Sequence, residues 1–194
     1  MSLFVRHGYR LTSMEQVGRE AGLTRQALYH HFDTKEALFR AVAATVQEEA
    51  QESASSAGLE MERTGAGLAA VLVAQILARW RSFSDRTKGS PYADELLSEH
   101  RRQSEDLHQI FVEKEYRLFV ETIDRFRERG VRLDAGMTSA NLARCIQLAA
   151  HGAKADMVGE DGPSDLERIV RLLVRGATVP SEDGETPTAT GVEK

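Results

Sequence analysis

Apolar residues recur at spacings of three and four along nearly the whole chain, β-branched runs are short and Pro is scarce, so the pattern predicts an all-α protein. A first helical stub ends at Gly8-Tyr9. Thr12-Ser13 can cap a second helix over about 14–21, which Gly22 stops, and Thr24 caps a third short helix. Thr34, with Glu36-Ala37 behind it, opens a fourth. Its stripe of Leu38, Ala41, Val42, Thr45 and Val46 is expected to fade out in the Ser/Ala-rich passage QESASSAG. Longer helices are predicted over about 66–84, 92–129 with a kink near Ser104, 138–158 and 164–177. This organisation gives a helix-turn-helix domain at 1–46, a larger helical domain at 47–179 and a tail at 180–194 too poor in apolar residues to fold. No internal repeat is present.

A chain of 194 residues, 41% apolar and 28% charged, can bury a proper core. No run approaches the roughly 18 apolar residues of a membrane span, and MSLFVRHGYR lacks the apolar region of a signal peptide, so no membrane partner and a cytoplasmic location are expected. The single cysteine, Cys145, excludes an internal disulfide and a Cys-rich zinc site. The net charge of −5 argues against a general polyanion binder, but it is unevenly spread. Residues 1–46 carry six basic and four acidic side chains, a net of +2, which leaves −7 for the rest.

The basic head contains GLTRQALYHHFDTKEAL, from Gly22 to Leu38. Two short helices joined by AGLT have the size and turn chemistry of a helix-turn-helix, whose second helix enters the DNA major groove by its N-terminal end. Thr24 can cap that helix and meet a phosphate, Arg25 and Gln26 can reach guanine or adenine edges, and Ala27 is small enough for close approach to a thymine methyl. Leu28 faces inward. Tyr29 and His30 lie farther along, where phosphates line the groove wall, and Lys35 stands near a helix start that favours a phosphate. With Thr12 and Ser13, these are the expected DNA-facing residues. The bland alternative is a solvated helix face. Adjacent histidines point about 100° apart and cannot chelate together, so His31 and Phe32 are expected to pack between helices.

The ordered set over residues 7–42, with Gly8-Tyr9, Thr12-Ser13-Met14, Ala21-Gly22-Leu23-Thr24, Leu28-Tyr29-His30-His31-Phe32 and Lys35 followed by Leu38, resembles the N-terminal DNA-binding domain of the TetR family of transcriptional regulators. The resemblance implies a homodimeric, ligand-responsive regulator, a repressor by default, that binds a palindromic double-stranded operator through the N-terminal domain and an unidentified small-molecule effector through the C-terminal one. Gln26 stands where family members commonly carry a small residue, which exchanges close backbone approach for a side-chain contact. The family's first helix usually begins well upstream of the position of Leu3-Phe4. Only its last turns are expected here, leaving Val17, Ala21, Leu28 and Phe32 partly uncovered; either a misread start or a frayed reading head follows. The rival function is a helical dimer that binds a small molecule or protein and no longer reads DNA.

Trp80, Phe83, Tyr92, Phe111, Tyr116 and Phe119 can line an effector pocket, with Gln147 and His151 as polar anchors, although core packing accounts for the same residues. Leu142, Ile146, Ala149 and Ala153 form one stripe and Leu166, Ile169, Val170 and Leu173 another; two such helices per subunit can make a four-helix dimer seam, or an internal core face. Cys145 is expected to be a buried structural thiol, and His100 and His108, eight residues apart, solvated surface rather than metal ligands. No Gly-rich phosphate loop, nucleophile elbow or paired-carboxylate motif is present, so no enzyme, metal or cofactor is expected.

Overall fold

The structure, a computed structural model, describes residues 1–153 and 162–179. Its helices are α1 (Ser2–Leu11), α2 (Met14–Glu20), α3 (Arg25–His31), α4 (Lys35–Arg63), α5 (Leu68–Thr87), α6 (Ala93–Gln103), α7 (Glu105–Glu128), α8 (Ser139–Ala153) and α9 (Gly162–Ala177). The all-α expectation holds for the described residues, whose one extended pairing is an isolated antiparallel bridge between Leu133 and Thr178. The predicted end of α8 at Val158 and the predicted tail at 180–194 lie outside the described residues.

The chain forms two compact units, Met1–Leu118 and Phe119–Lys194. In the first, α2 packs on α3, α1 on α6, and α4 on both α5 and α6. Its N-terminal core is an aromatic cluster. The Phe4 ring meets Phe39 edge-on at 5.3 Å, Tyr9 meets Phe39 at 5.0 Å, and Met14, Leu28, Leu38 and Leu96 complete the buried set. The short α1 therefore covers more than the sequence leads one to expect. Leu28 is only 3% exposed, Val17 and Phe32 are half-buried, and Ala21 alone of the four is open.

The fourth helix does not fade out in QESASSAG. It runs unbroken from Lys35 to Arg63, because the Ser/Ala passage carries Ala50, Ala54 and Gly58 at four-residue spacing on its buried side. Small residues in that register let α5 approach closely. A Cβ at Gly58 would stand 2.8 Å from Cγ of the buried Gln75. Beside this seam, the guanidinium of Arg79 in α5 is paired with the buried Glu115 at 3.1 Å and donates to Gln51 at 2.9 Å and Gln47 at 3.1 Å of α4. The predicted kink near Ser104 is a true break, with Ser104 outside helical geometry between α6 and α7.

In the second unit, α8 and α9 pack together. Leu142, Ala143, Ile146 and Ala150 are buried from α8, and Leu166, Val170, Val174 and Ala177 from α9. Asp134 donates its backbone N–H to Ala177 and Val179 donates to Arg132, both at 2.9 Å, which tie the α7–α8 loop to the end of α9.

One residue of α1 is indispensable to its path. Gly8 holds φ 78° and ψ 162°, a region open essentially to glycine alone, and a Cβ there would stand 2.8 Å from the Tyr92 ring. Gly8→Ala is expected to lower the unfolding free energy by about 1–3 kcal/mol, read from urea denaturation; an unchanged midpoint would show that α1 can take another path.

Candidate nucleic-acid interface

Local hydrogen bonding sets the path of α2, α3 and the start of α4. Ser13 caps α2, accepting from the Gln16 N–H at 3.2 Å while its own N–H donates to the Gln16 side chain at 2.7 Å, a reciprocal capping box. The turn after α2 closes when the Leu23 N–H donates to Gly18 at 2.8 Å, with Gly22 at φ 68°. Gly18 is buried where a side chain would crowd the Leu23 carbonyl at 3.1 Å. Thr24 caps α3 by accepting from Ala27 at 3.1 Å, and Thr34 caps α4 by accepting from Ala37 at 3.0 Å.

The outward side of α3 presents Thr24, Arg25, Gln26, Tyr29 and His30 to solvent, with Ala27 half-buried and Leu28 turned into the core. His31 joins them. The expectation that it packs between helices is corrected here: only Phe32 goes inward, and the His31 ring lies 5.8 Å from that of His30 on the exposed end of the helix. The Arg25 guanidinium lies over the Tyr29 ring, 5.5 Å from its centroid.

Two expected DNA-facing residues are engaged elsewhere. Thr12 is buried, and its hydroxyl donates to the Gly8 carbonyl at 2.6 Å, so Ser13 alone of the pair caps α2 and stays exposed. The Lys35 ammonium donates to the carbonyls of Tyr9 at 3.1 Å, Arg10 at 3.3 Å and Thr12 at 3.1 Å, and sits 4.5 Å from the Tyr9 ring centroid. It thereby satisfies the carbonyls that α1 leaves open at its end, a role for a cation at a helix C-terminus.

Most other cations of the head are partnered. Arg6 pairs with Glu20, Arg19 with Glu15 at 3.4 Å, and Arg40 makes two bonds to Asp106, at 2.6 and 2.9 Å, as well as one to the Gln103 carbonyl. The Arg40 hydrogen bond holds the Asp106 carboxyl well below its usual range, at about 2. Arg10 borders a groove with Asp94, Glu95, Ser98 and Glu99. Arg25 differs: beyond Tyr29, no hydrogen bond or ion pair among the described residues engages its guanidinium. An open groove of about 390 Å³ beside it is lined by Glu15, Arg19, Leu23 and Arg25. Sequence reasoning missed Glu15 and Arg19, although their four-residue spacing on α2 puts both on one face.

Within the first unit, α6 grips α1 and α4. Glu95 accepts from the Arg10 N–H at 2.8 Å, and the Ser90 hydroxyl donates to Val5. Tyr92, expected in an effector pocket, instead packs its ring on Gly8. Trp80, Phe83 and Tyr116 are half-buried and Phe111 is buried, with the Lys114 ammonium 4.9 Å from its ring centroid. The polar centre that the sequence did not announce is the Arg79–Glu115–Gln47–Gln51 set. His100 extends it and is half-buried rather than solvated, its Nε2 3.4 Å from the Gln47 Nε2; burial, then the nearby His108 and Arg101, lower its pKa.

In the second unit Phe119 and Gln147 are buried and His151 is half-buried; Gln147 accepts from Arg144 at 2.9 Å. Four of the residues expected at a dimer seam, Leu142, Ile146, Leu166 and Val170, are already buried within the single chain, because α8 and α9 use those stripes on each other. Ala149, Ala153 and Leu173 are half-buried, and Ile169 is exposed. Cys145 is exposed, not a core thiol: it belongs to the outward stripe Asn141, Cys145, Leu148, Gly152, which α9 matches with Asp165, Ile169, Leu172 and Gly176. Among the described residues, no group of three or more His, Cys, Asp or Glu is arranged to hold a metal, and no helix is long and apolar enough to cross a membrane.

Residues 1–42 match the family model for bacterial regulatory proteins, tetR family. An uncharacterised HTH-type transcriptional regulator of Bacillus subtilis, YfiR, is 28% identical over 135 residues, 67% of this chain and 60% of YfiR; the chain thus spans less than two thirds of that relative. A TetR-family regulator from Pectobacterium atrosepticum superposes with a TM-score of 0.59 at 26% identity, covering 92% of this chain and 89% of that one. The Thermus thermophilus TetR-family repressor FadR, in complex with lauroyl-CoA, gives 0.56 at 20% identity, with 98% and 95% covered, and so shares the fold.

The Lys35 geometry makes a prediction that separates a cap from a phosphate contact. Lys35→Met is expected to lower unfolding stability by about 1–3 kcal/mol, since three carbonyls lose a charged partner, and to leave the salt dependence of DNA binding unchanged. A salt slope reduced by about one, with stability intact, would return the ammonium to the DNA.

Proposed function

We propose that the chain, whose residues 1–42 match the tetR family model, is a transcriptional regulator of that family that reads double-stranded DNA with α3, acting as a homodimer whose affinity is set by a small-molecule effector. The observation that carries this reading is the outward row of α3, from the capped Thr24 through Arg25, Gln26, Tyr29, His30 and His31, on a helix anchored by Leu28. A guanidinium with its donors open is suited to a bidentate bond with guanine, and Gln26 to one with adenine. The rival of a head too frayed to read DNA is disfavoured by the packing of Phe4, Tyr9 and Phe39 over Leu28 and Leu38.

The dimer seam of this proposal is the outward pair of stripes, centred on the exposed Leu148, Ile169 and Leu172, not the internal one. Gly152 and Gly176 on the same stripes have open space where a Cβ would stand, which suits close helix approach by a second copy. Two-fold symmetry then asks for a palindromic operator with half-sites one helical turn, or a multiple, apart.

Regulation follows from linkage: an effector that prefers the arrangement with misaligned heads weakens DNA binding by the same factor by which DNA weakens the effector. Within the first unit the Glu95–Arg10 and Arg40–Asp106 bonds, with Ser90–Val5 from the loop before α6, give α6, that loop and α7 a direct hold on α1 and α4. FadR, a repressor seen with lauroyl-CoA, supports repression as the sign and an apolar-tailed molecule as one class of effector. The site of action is the cytoplasm, where such an operator is found.

Two measurements test the reading. Arg25→Ala is expected to cost about 1–3 kcal/mol of discrimination at one base pair in fluorescence anisotropy, and equal losses on specific and random duplex would take Arg25 out of the reading head. Leu148→Glu with Leu172→Glu is expected to convert a dimer to a monomer in sedimentation velocity. An unchanged sedimentation coefficient would move the seam elsewhere.

A further inference from the structure

We propose that Tyr29 is a positioning residue for DNA recognition, its ring serving as the platform that holds the Arg25 guanidinium ready to read a base. This rests on the DNA-reading role of α3 argued above and names how one contact in it is prepared.

Arg25 opens α3 and Tyr29 follows it by four residues, so the two share a face. Helical side chains lean toward the N-terminus, which carries the Tyr29 ring back over the turn from which Arg25 emerges. The result is a guanidinium carbon held over the ring, 5.5 Å from its centroid, without DNA. Tyr29 is 38% exposed and Leu28 beside it is buried, so the ring is on the outside of the helix rather than in the core that the helix needs to fold.

The stack suits recognition for three reasons. A planar guanidinium on a ring face keeps its N–H edges directed outward, in the plane from which it forms two parallel bonds to an acceptor pair. Arginine has many rotamers to surrender on docking, and a stacked one has surrendered part of that freedom beforehand. The competing resting place is also occupied. Glu15, across the shared groove, is ion-paired with Arg19 at 3.4 Å, and Arg25 is left to the ring.

The test uses the full chain and the duplex that the wild type itself recovers from a randomised library, with each base pair of the recovered site substituted in turn. Four proteins are compared with the wild type: R25A, Y29L, Y29F and R25A/Y29L, each first checked for wild-type unfolding. R25A and Y29L are expected to lose discrimination at the same base pair, by about 3- to 30-fold for Y29L. The double variant should lose no more than R25A alone, and Y29F, which keeps the ring face, should retain the wild-type preference. If Y29L weakens all duplexes alike and its loss multiplies with that of R25A, Tyr29 is an independent phosphate contact and the platform is refuted. Loss in Y29F equal to that in Y29L assigns the effect to the phenol hydroxyl and refutes it as well. Should Y29L fail to fold, Y29Q, which also removes the ring face, takes its place under the same criteria. Failure of the wild type to recover any duplex would remove the DNA-reading role itself, and the platform with it.

Discussion

A helix of seven residues has no stability of its own in water, so α3 exists only because its inward side is buried. Leu28 supplies that burial, and the surface it enters is built by α1: Phe4 and Tyr9 close on Phe39, with Met14 and Leu38 around them. The ten residues of α1 achieve this only by bending. Gly8 lets the chain turn where a Cβ cannot fit, Thr12 bonds back to the Gly8 carbonyl, and Lys35 reaches from α4 to hold the carbonyls of Tyr9, Arg10 and Thr12. Thr12 and Lys35, expected by position to face DNA, thus hold the end of α1 in place.

The same constraint explains why the head is joined to the remainder of its unit by so many polar bonds. Tyr92 packs on Gly8, Glu95 accepts from Arg10, and Arg40 bonds both Asp106 and the Gln103 carbonyl. Exposed pairs of this kind contribute little stability singly; their use is registration, since each fixes α1 or α4 relative to α6 and the start of α7. Deeper in the unit, Arg79 and Glu115 are paired among α4, α5 and α7 at a cost in desolvation that a hydrophobic pair would not incur.

Much of this was legible in the sequence because it is written locally. Caps at Ser13, Thr24 and Thr34, the stop at Gly22 and the break at Ser104 are decided by residues within a turn of each other, and the structure has all of them. What was not legible depends on partners distant in sequence. Nothing near Lys35 says that its ammonium is consumed by carbonyls at the end of α1, whereas the Thr12 bond to Gly8 is itself local. Ala50, Ala54 and Gly58 read as a fading helix because a stripe of small residues gives a weak apolar signal, though all three are buried and Gly58 leaves no room for a Cβ beside Gln75. Periodicity in α8 and α9 cannot say whether a stripe meets its own chain or another copy; Leu142, Ile146, Leu166 and Val170 are buried within the single chain.

The outward side of α3 is proposed to read DNA sequence. Its most direct test is to sequence the duplexes that the wild-type chain retains from a randomised library at two salt concentrations. The account predicts enrichment of an inverted repeat with half-sites one helical turn or a multiple apart, and affinity that falls steeply with salt. Retention of duplexes without any enriched sequence, at either salt concentration, would contradict it.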